Sequence, residues 1–277
     1  MKNFNNKVAA ITGAGSGIGQ QLAILLAKQG CHLALADVNE QGLAQTAELL
    51  KDAGVKVSTQ KVDVANLEEV RAWAAQTEQE FKHINMIFNN AGVALGSTVE
   101  GASYEELQWI MDINFWGVVY GTKEFLPIIK KSGDGHIINI SSLFGLTAQP
   151  TQSAYNASKF AVRGFTESLR QELDMENKGV SALCVHPGGI RTNIAKAAKM
   201  NDSLKTLGLH PEKSLQTFDK FLRCPPEEAA RQILAAVLKD KRRLLIGNDA
   251  KAIDLMQRIL PTGYQKVTAL ATKLSGG

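Results

Sequence analysis

Three cysteines, five histidines and a net charge of +4 are little for 277 residues, and each scarcity removes a class of protein. Cys31, Cys184 and Cys224 are scattered without a CxxC or a metal-ligand spacing, so they read as core thiols of a reducing compartment, and a cytoplasmic location is expected. The histidines form no HExxH, which leaves a bound metal without support. So small a charge excess argues against nucleic acid as the main partner, because such proteins gather Lys and Arg on one face. No apolar stretch approaches the length of a membrane span. The polar opening residues 1–7 predict no signal peptide. Repeats, low-complexity tracts and linkers are lacking as well, so one domain is expected.

What is present is 44% hydrophobic residues, enough for a substantial core. They alternate between short β-branched runs and longer helical patterns. Strands are expected over 7–12, 31–37, 55–62, 84–89, 136–141 and 180–186, with 243–246 as the candidate for a seventh. Helices are expected over 18–29, 40–53, 67–81, 104–131, 152–177 and 227–238. Strands alternating with helices make parallel βαβ units, so the fold class is α/β: a single-domain doubly wound parallel sheet of about seven strands with helices on both faces. Such sheets bind ligands outside the carboxyl ends of their strands, where the strand order reverses. Nearly every residue singled out below lies at a strand end.

The first strand runs into Thr12-Gly13-Ala14-Gly15-Ser16-Gly17-Ile18-Gly19, and a helix follows at once. The spacing is TGxxxGxG rather than GxGxxG. Glycines let the turn be tight and let backbone N–H groups approach an anion, and the helix start adds free donors with a partial positive charge. A dinucleotide pyrophosphate is therefore expected on Gly13, Ser16, Gly17, Ile18 and Gly19. Asp37 ends the second strand, where a carboxylate accepts from adenine-ribose hydroxyls and repels a 2′-phosphate. Ser16 and Val38 offer that phosphate no cation, so NAD(H) is preferred over NADP(H). The alternative is that Asp37 caps the next helix. Asp63 and Val64, ending the third strand, are placed beside the adenine. Asn90, Ala91 and Gly92, after the fourth, put small residues where backbone passes a ribose.

Tyr155 and Lys159 stand four residues apart within an expected helix, so they share a face. A free phenol titrates near ~10 and is protonated at neutral pH. An ammonium a few ångströms away favours the phenolate, and the sequence reading expects Lys159 to lower the pKa of Tyr155 until it serves as a base.

Taken together, TGxxxGxG at 12–19, NNAG at 89–92, Asn114, Ser142, YxxxK at 155–159 and Pro187-Gly188 with Thr192 resemble the short-chain dehydrogenase/reductase family over about residues 7–246. The resemblance implies an NAD-dependent oxidoreductase on a secondary alcohol or ketone. It implies Asn114, Ser142, Tyr155 and Lys159 as the catalytic residues, with Tyr155 as acid and base. Ser142 rather than Ser141 is selected by its distance from the tyrosine and by strand alternation with Ile138 and Ile140. Lys159 is further expected on the nicotinamide ribose, Asn114 to bend its helix locally and hold a water linking Lys159 to solvent, and Pro187, Gly188, Ile190 and Thr192 around the carboxamide. Homodimers or homotetramers through the helices at 104–131 and 152–177 are implied too.

The substrate pocket is expected between residues 93–98 and 143–149. Leu95, Leu143, Phe144 and Leu146 make its lining apolar, Gln149 adds a polar contact, and a lipophilic small molecule is the expected partner. Residues 193–224 lack strand signals and are expected to form a mobile, partly helical lid within a catalytic unit of 1–247. Residues 248–277 form an amphipathic extension in which Ile253, Met256, Ile259 and Leu260 recur at helical spacing, with Lys251, Arg258 and Lys266 interleaved and Pro261 breaking the pattern. It could pack on the pocket mouth, join copies of the chain, or lie on a membrane surface. The competing functions are an NADP(H)-using carbonyl reductase, an epimerase or dehydratase on the same nucleotide fold, and a nucleotide-sensing regulator without catalysis. Epimerases and dehydratases of that kind usually carry a longer C-terminal substrate domain, and a regulator need not keep Ser142, Tyr155 and Lys159 together.

Overall fold

The computed structural model describes residues 1–195 and 197–276. Along the chain run β1 (Val8–Thr12), α1 (Gly17–Ala27), β2 (His32–Asp37), α2 (Glu40–Leu50), β3 (Val57–Lys61), α3 (Leu67–Phe81), β4 (Met86–Asn89) and β5 (Leu95–Gly96). Then come α4 (Tyr104–Met111), α5 (Gly117–Ser132), β6 (Gly135–Ile140), α6 (Ser153–Glu176), β7 (Val180–Pro187) and β8 (Lys199–Met200). The chain ends with α7 (Pro211–Phe221), α8 (Pro226–Leu238), β9 (Arg243–Ile246), α9 (Asn248–Ile259) and α10 (Tyr264–Gly276). Seven strands pair in parallel in the order β3-β2-β1-β4-β6-β7-β9.

Strands covered on both faces must be apolar throughout, and β1 and β7 are buried at every residue. Alternation divides their side chains between two layers. Ala9 and Ile11 join Leu22, Leu26 and Leu234 beneath α1 and α8. Val8 and Ala10 join Trp73, Phe125 and Leu169 beneath α3, α5 and α6, where Trp73 meets Phe125 edge-on at 4.7 Å. The chain winds outward from β1 to β3 and restarts with β4 on the other side of β1. The glycine turn after β1 and the segment after β4 therefore open into the crevice at the reversal.

Local signals start the helices. Asn39 caps α2, Asn66 caps α3, and Ser103 forms a capping box with Glu106 at α4. At α1, by contrast, Ser16 is extended and caps nothing with its side chain. The first amides of α1 are thus left to a ligand or solvent.

Two expectations change. The helix over 104–131 is not continuous: Asp112–Trp116 widen into a π turn around Asn114, as its expected local bend requires. Residues 193–224 do contain a strand, β8, which pairs with β5 through Leu95–Lys199 and Gly96–Met200. Two residues carry no periodicity that a sequence could display. The segment is otherwise partly helical, with a 3-10 turn over Asp202–Leu207 before α7. Beyond β9, Pro261 stands between two helices, α9 and α10, where the apolar pattern breaks. No described helix is long and apolar enough to cross a membrane.

Candidate active site

The turn after β1 is held against β4 by Thr12. Its hydroxyl accepts from Asn90 N at 2.9 Å and Ala91 N at 3.1 Å, while Asn90 Nδ2 donates to Thr12 O at 2.9 Å. Gly13 has φ +65°, and a Cβ on Gly19 would stand 2.2 Å from Gly13 O and 2.7 Å from Asn90 Nδ2, so neither position admits a side chain without a shift. Gly17 faces Thr192, whose methyl carbon would be 3.0 Å from a Cβ there, so the loop after β7 closes onto the glycine turn. Asp37 does not cap α2, since Asn39 does. Its Oδ2 accepts from Gly15 N at 2.8 Å and its Oδ1 from Asn39 N at 2.9 Å, which fixes the carboxylate at the turn. An open polar cleft of about 310 Å³ beside Gly15 and Gly17 is lined by Ser16, Gln20, Asn39, Gln41 and Asn193, with no Lys or Arg among its lining residues. Asp63, at the end of β3, is exposed and accepts from Ala65 N, and Val64 is buried behind it against Gly117.

Strand β6 and helix α6 supply the other half. The Ser142 hydroxyl accepts from Phe144 N at 3.1 Å and faces the Tyr155 phenol closely enough to favour its phenolate form. Ser141 points away and donates to Lys159 O at 2.8 Å, so the two adjacent serines divide the work as alternation anticipates. Lys159 Nζ lies 5.7 Å from the centre of the Tyr155 ring and donates to Ile140 O at 3.1 Å. Asn114, fully buried, accepts at Oδ1 from Val93 N and donates through Nδ2 to Val93 O and Ser158 Oγ. It thereby locks the chain after β4 to α6.

The electrostatics depart from the sequence expectation. Burial dominates both members of the pair: it pushes the Tyr155 phenol up to about 12, which the nearby Ser142 hydroxyl only partly opposes, and pulls the Lys159 ammonium down to about 8. Lys159 therefore does not by itself make Tyr155 a base. Spacing on a helix reports proximity, whereas the desolvation that reverses the sign comes from packing.

Leu95 joins Ala94, Ile110, Ala154 and Tyr155 in an apolar cluster, with Val93, Phe144, Ile194 and Ala198 against it. The Phe144 ring stands edge-on to Tyr155 at 6.1 Å. Leu143 and Leu146 are buried nearby. Gln149 enters through its main chain, whose carbonyl accepts from Asn156 Nδ2. The loop after β7 brings Pro187, Gly188, Ile190 and Thr192 to the same end of the sheet: Gly188 N donates to Ile246 O, and Ile190 bridges Cys224.

Several contributors carried no signal in the sequence. His186 Nδ1 is 2.9 Å from the main-chain oxygen of Ser142, and its Nε2 is 3.3 Å from Cys184 Sγ. Asp249, in the first turn of α9, accepts from Gly189 N at 2.6 Å. Segment 193–224 is latched by Asn201 Nδ2 to the Glu106 carboxylate and by Lys199 over the Trp109 ring at 3.7 Å. Apart from the Cys184–His186 contact, each of these joins residues far apart in the chain, and no local spacing encodes them.

This arrangement coincides with a known family. A short chain dehydrogenase family model matches residues 7–203. SadH of Mycobacterium tuberculosis, a protein named as an oxidoreductase, is 46% identical over 270 residues, covering 97% of this chain and 96% of that one. Human estradiol 17-beta-dehydrogenase 11 is 30% identical over 268 residues, covering 96% of this chain and 83% of its own. Among solved structures, a short chain dehydrogenase/reductase from Burkholderia phymatum in complex with NAD superposes with a TM-score of 0.87 at 29% identity, covering 96% and 97% of the two chains. The chain belongs to the short-chain dehydrogenase family and is an oxidoreductase with its Rossmann-type fold.

Proposed function

We propose that the protein transfers a hydride between NAD(H) and a lipophilic secondary alcohol or ketone, with Tyr155 as acid and base. The observation that carries this reading is the buried Tyr155 phenol beside the Ser142 hydroxyl in an apolar surrounding, with the Lys159 ammonium 5.7 Å from its ring. Ser142 offers a substrate oxygen a hydrogen bond beside the phenol. In oxidation the alcohol proton passes to Tyr155 Oη; in reduction Tyr155 returns it to the carbonyl oxygen. A nicotinamide, when bound, accepts or delivers the hydride. With its pKa at about 12 the phenol is protonated at neutral pH, so the protein alone is poised as an acid. Oxidation needs added positive charge beside it.

The residues present fit a dinucleotide. Gly13, Ser16, Gly17, Ile18 and Gly19 would take the pyrophosphate and Asp37 the adenine-ribose hydroxyls. Asp63 and Val64 would flank the adenine, Asn90, Ala91, Gly92, Tyr155 and Lys159 the nicotinamide ribose, and Pro187, Gly188, Ile190 and Thr192 the carboxamide. The cation-free cleft beside Ser16 and the fixed Asp37 carboxylate favour NAD(H), since a 2′-phosphate would meet a negative charge and no guanidinium or ammonium. A point one Cβ bond from Gly92 is 3.2 Å from Asn114 Oδ1 and 3.4 Å from Lys159 Nζ. A water held between these two atoms, clear of the Gly92 backbone, would link Lys159 to solvent, because Asn114 Oδ1 keeps a second lone pair.

Leu95, Phe144 and the segment around Gln149 form the substrate wall, closed by 193–224. An apolar wall suits a lipophilic molecule, and a relative named for a steroid alcohol is consistent with it. Trp116 and Phe160, exposed at 41% and 40% on the elements flanking the site, mark the surface for a homo-oligomer. The test is turnover of secondary alcohols of graded size with NAD, read by absorbance of the reduced cofactor. Tyr155→Phe is expected to lower kcat by about 10²–10⁴-fold, and full activity in that variant would refute the mechanism.

A further inference from the structure

The last helix, α10, is amphipathic the wrong way round for a helix packed only against its own fold. Its Tyr264 and Thr268, one turn apart, are buried at 6% and 7%, and Tyr264 Oη accepts from Ala148 N at 3.1 Å. That contact ties α10 to the segment lining the substrate wall, and the helix also packs against α7 of the lid segment. A neighbouring face of the helix carries Val267, Leu270 and Leu274, spaced i, i+3 and i+7, exposed at 49%, 59% and 77%. Ile259 and Leu260, just before the Pro261 break, are exposed at 67% and 45%. A soluble fold ordinarily turns such a stripe inward.

Charge narrows what covers it. From Leu255 to the end of the chain there is no Asp or Glu, while Lys266 and Lys273 are present and Arg258 is paired with Asp254 one turn earlier. Lys266 and Lys273 each precede a stripe residue and stand seven apart, so they flank the stripe along one side. Two-fold pairing of the stripe with a second copy would set these cations against themselves with no carboxylate in the segment to pair them. An anionic lipid surface meets both features, since the stripe enters the acyl boundary while lysine stems reach back to headgroup phosphates. We propose that α10 docks the protein on anionic lipid bilayers. Through Tyr264 and Ala148 the docked helix sits beside the pocket mouth. On the reading of a lipophilic substrate given above, the pocket would then be supplied from the bilayer.

The test is co-sedimentation of the full chain with vesicles of phosphatidylcholine alone or mixed equally with phosphatidylglycerol. Binding is read without substrate, so failure of the dehydrogenase reading leaves the result untouched. Binding is expected to the anionic vesicles at low salt and to fall steeply at roughly 0.5 M salt, where the screening length shortens to about 4 Å. Lys266→Gln with Lys273→Gln should weaken it by roughly 25-fold, about fivefold per cation. Leu270→Gln with Leu274→Gln should weaken it at least ~10-fold while leaving the melting temperature within a few degrees. Absence of co-sedimentation at low salt overturns the proposal. So does a drop in oligomeric state of the Leu270→Gln, Leu274→Gln variant, which would make the stripe a contact between copies.

Discussion

His186 should govern how this protein responds to acid. Its Nδ1 sits 2.9 Å from the Ser142 carbonyl oxygen, which can only accept, so Nδ1 carries the hydrogen. Nε2 is then the acceptor, and Cys184 Sγ at 3.3 Å supplies the donor, because burial pushes that thiol up to about 12 and keeps it protonated. One neutral tautomer satisfies both ends, and a second proton on the ring would have no acceptor. Burial accordingly pulls the imidazole from 6.5 down to about 4. Between these values the unfolded chain holds a proton that the folded chain refuses. Stability is therefore complete above pH 6.5 and declines as the pH falls toward 4. At about 1.4 kcal/mol per pH unit, that interval corresponds to about 3 kcal/mol from this one residue. His136, buried and likewise pulled down to about 4, adds a comparable amount. The carboxylates Asp134, Asp174, Asp240 and Asp254 are held below their ordinary range and so act only at lower pH, outside this window. Urea unfolding from pH 7.5 to 4.5 should show the decline, and His186→Gln should remove about half of it. The same variant should cost about 1–3 kcal/mol at pH 7.5, through loss of a buried hydrogen bond. It should also lower kcat more than it raises the KM for the nicotinamide cofactor, because the Ser142 main chain is no longer held. An identical pH slope in variant and parent would show that His186 is not a desolvated neutral imidazole.

Asp37 fixes the glycine turn and, in the function proposed above, selects the cofactor, and substitutions can separate the two. Asp37→Asn keeps an oxygen for Gly15 N and should narrow the preference for NAD over NADP by a few kcal/mol at most, whereas Asp37→Ala should also weaken NAD itself; cofactor titrations compare the two, and an unchanged preference in both would remove Asp37 from selection. Gly19→Ala would place a Cβ 2.2 Å from Gly13 O, so cofactor affinity should drop at least ~10-fold with about 1–3 kcal/mol of stability lost, measured by fluorescence titration and thermal unfolding. Lys159→Met should raise the KM for cofactor and lower kcat together; a change in kcat alone would place the ammonium off the ribose.

Periodicity and turn chemistry placed the seven strands within one or two residues, because a buried parallel strand is written locally in its own apolar run. The glycine turn was legible for the same reason: a Cβ at Gly13 or Gly19 meets backbone, so the residue type itself reports the close approach. The choice of Ser142 over Ser141 was legible in strand alternation, and the structure places the two hydroxyls on opposite partners. Strand β8 was not legible, since its partner β5 lies a hundred residues away and both are two residues long. The helix 104–131 read as continuous because a π turn keeps an apolar rhythm while admitting one extra residue.

The sequence by itself determined the fold class, the reversal crevice and the identity of the groups gathered there, because each rests on spacing within one strand or helix. Only the tertiary structure decided their chemistry. Tyr155 and Lys159 share a helical face in either account, yet whether the phenol is a ready base depends on how much water reaches it, and burial sets it at about 12. The hold of His186 on Ser142, of Asp249 on Gly189 and of Tyr264 on Ala148 came from the structure for the same reason. Desolvation and long-range contact are properties of the packed whole, and no short stretch of chain carries them.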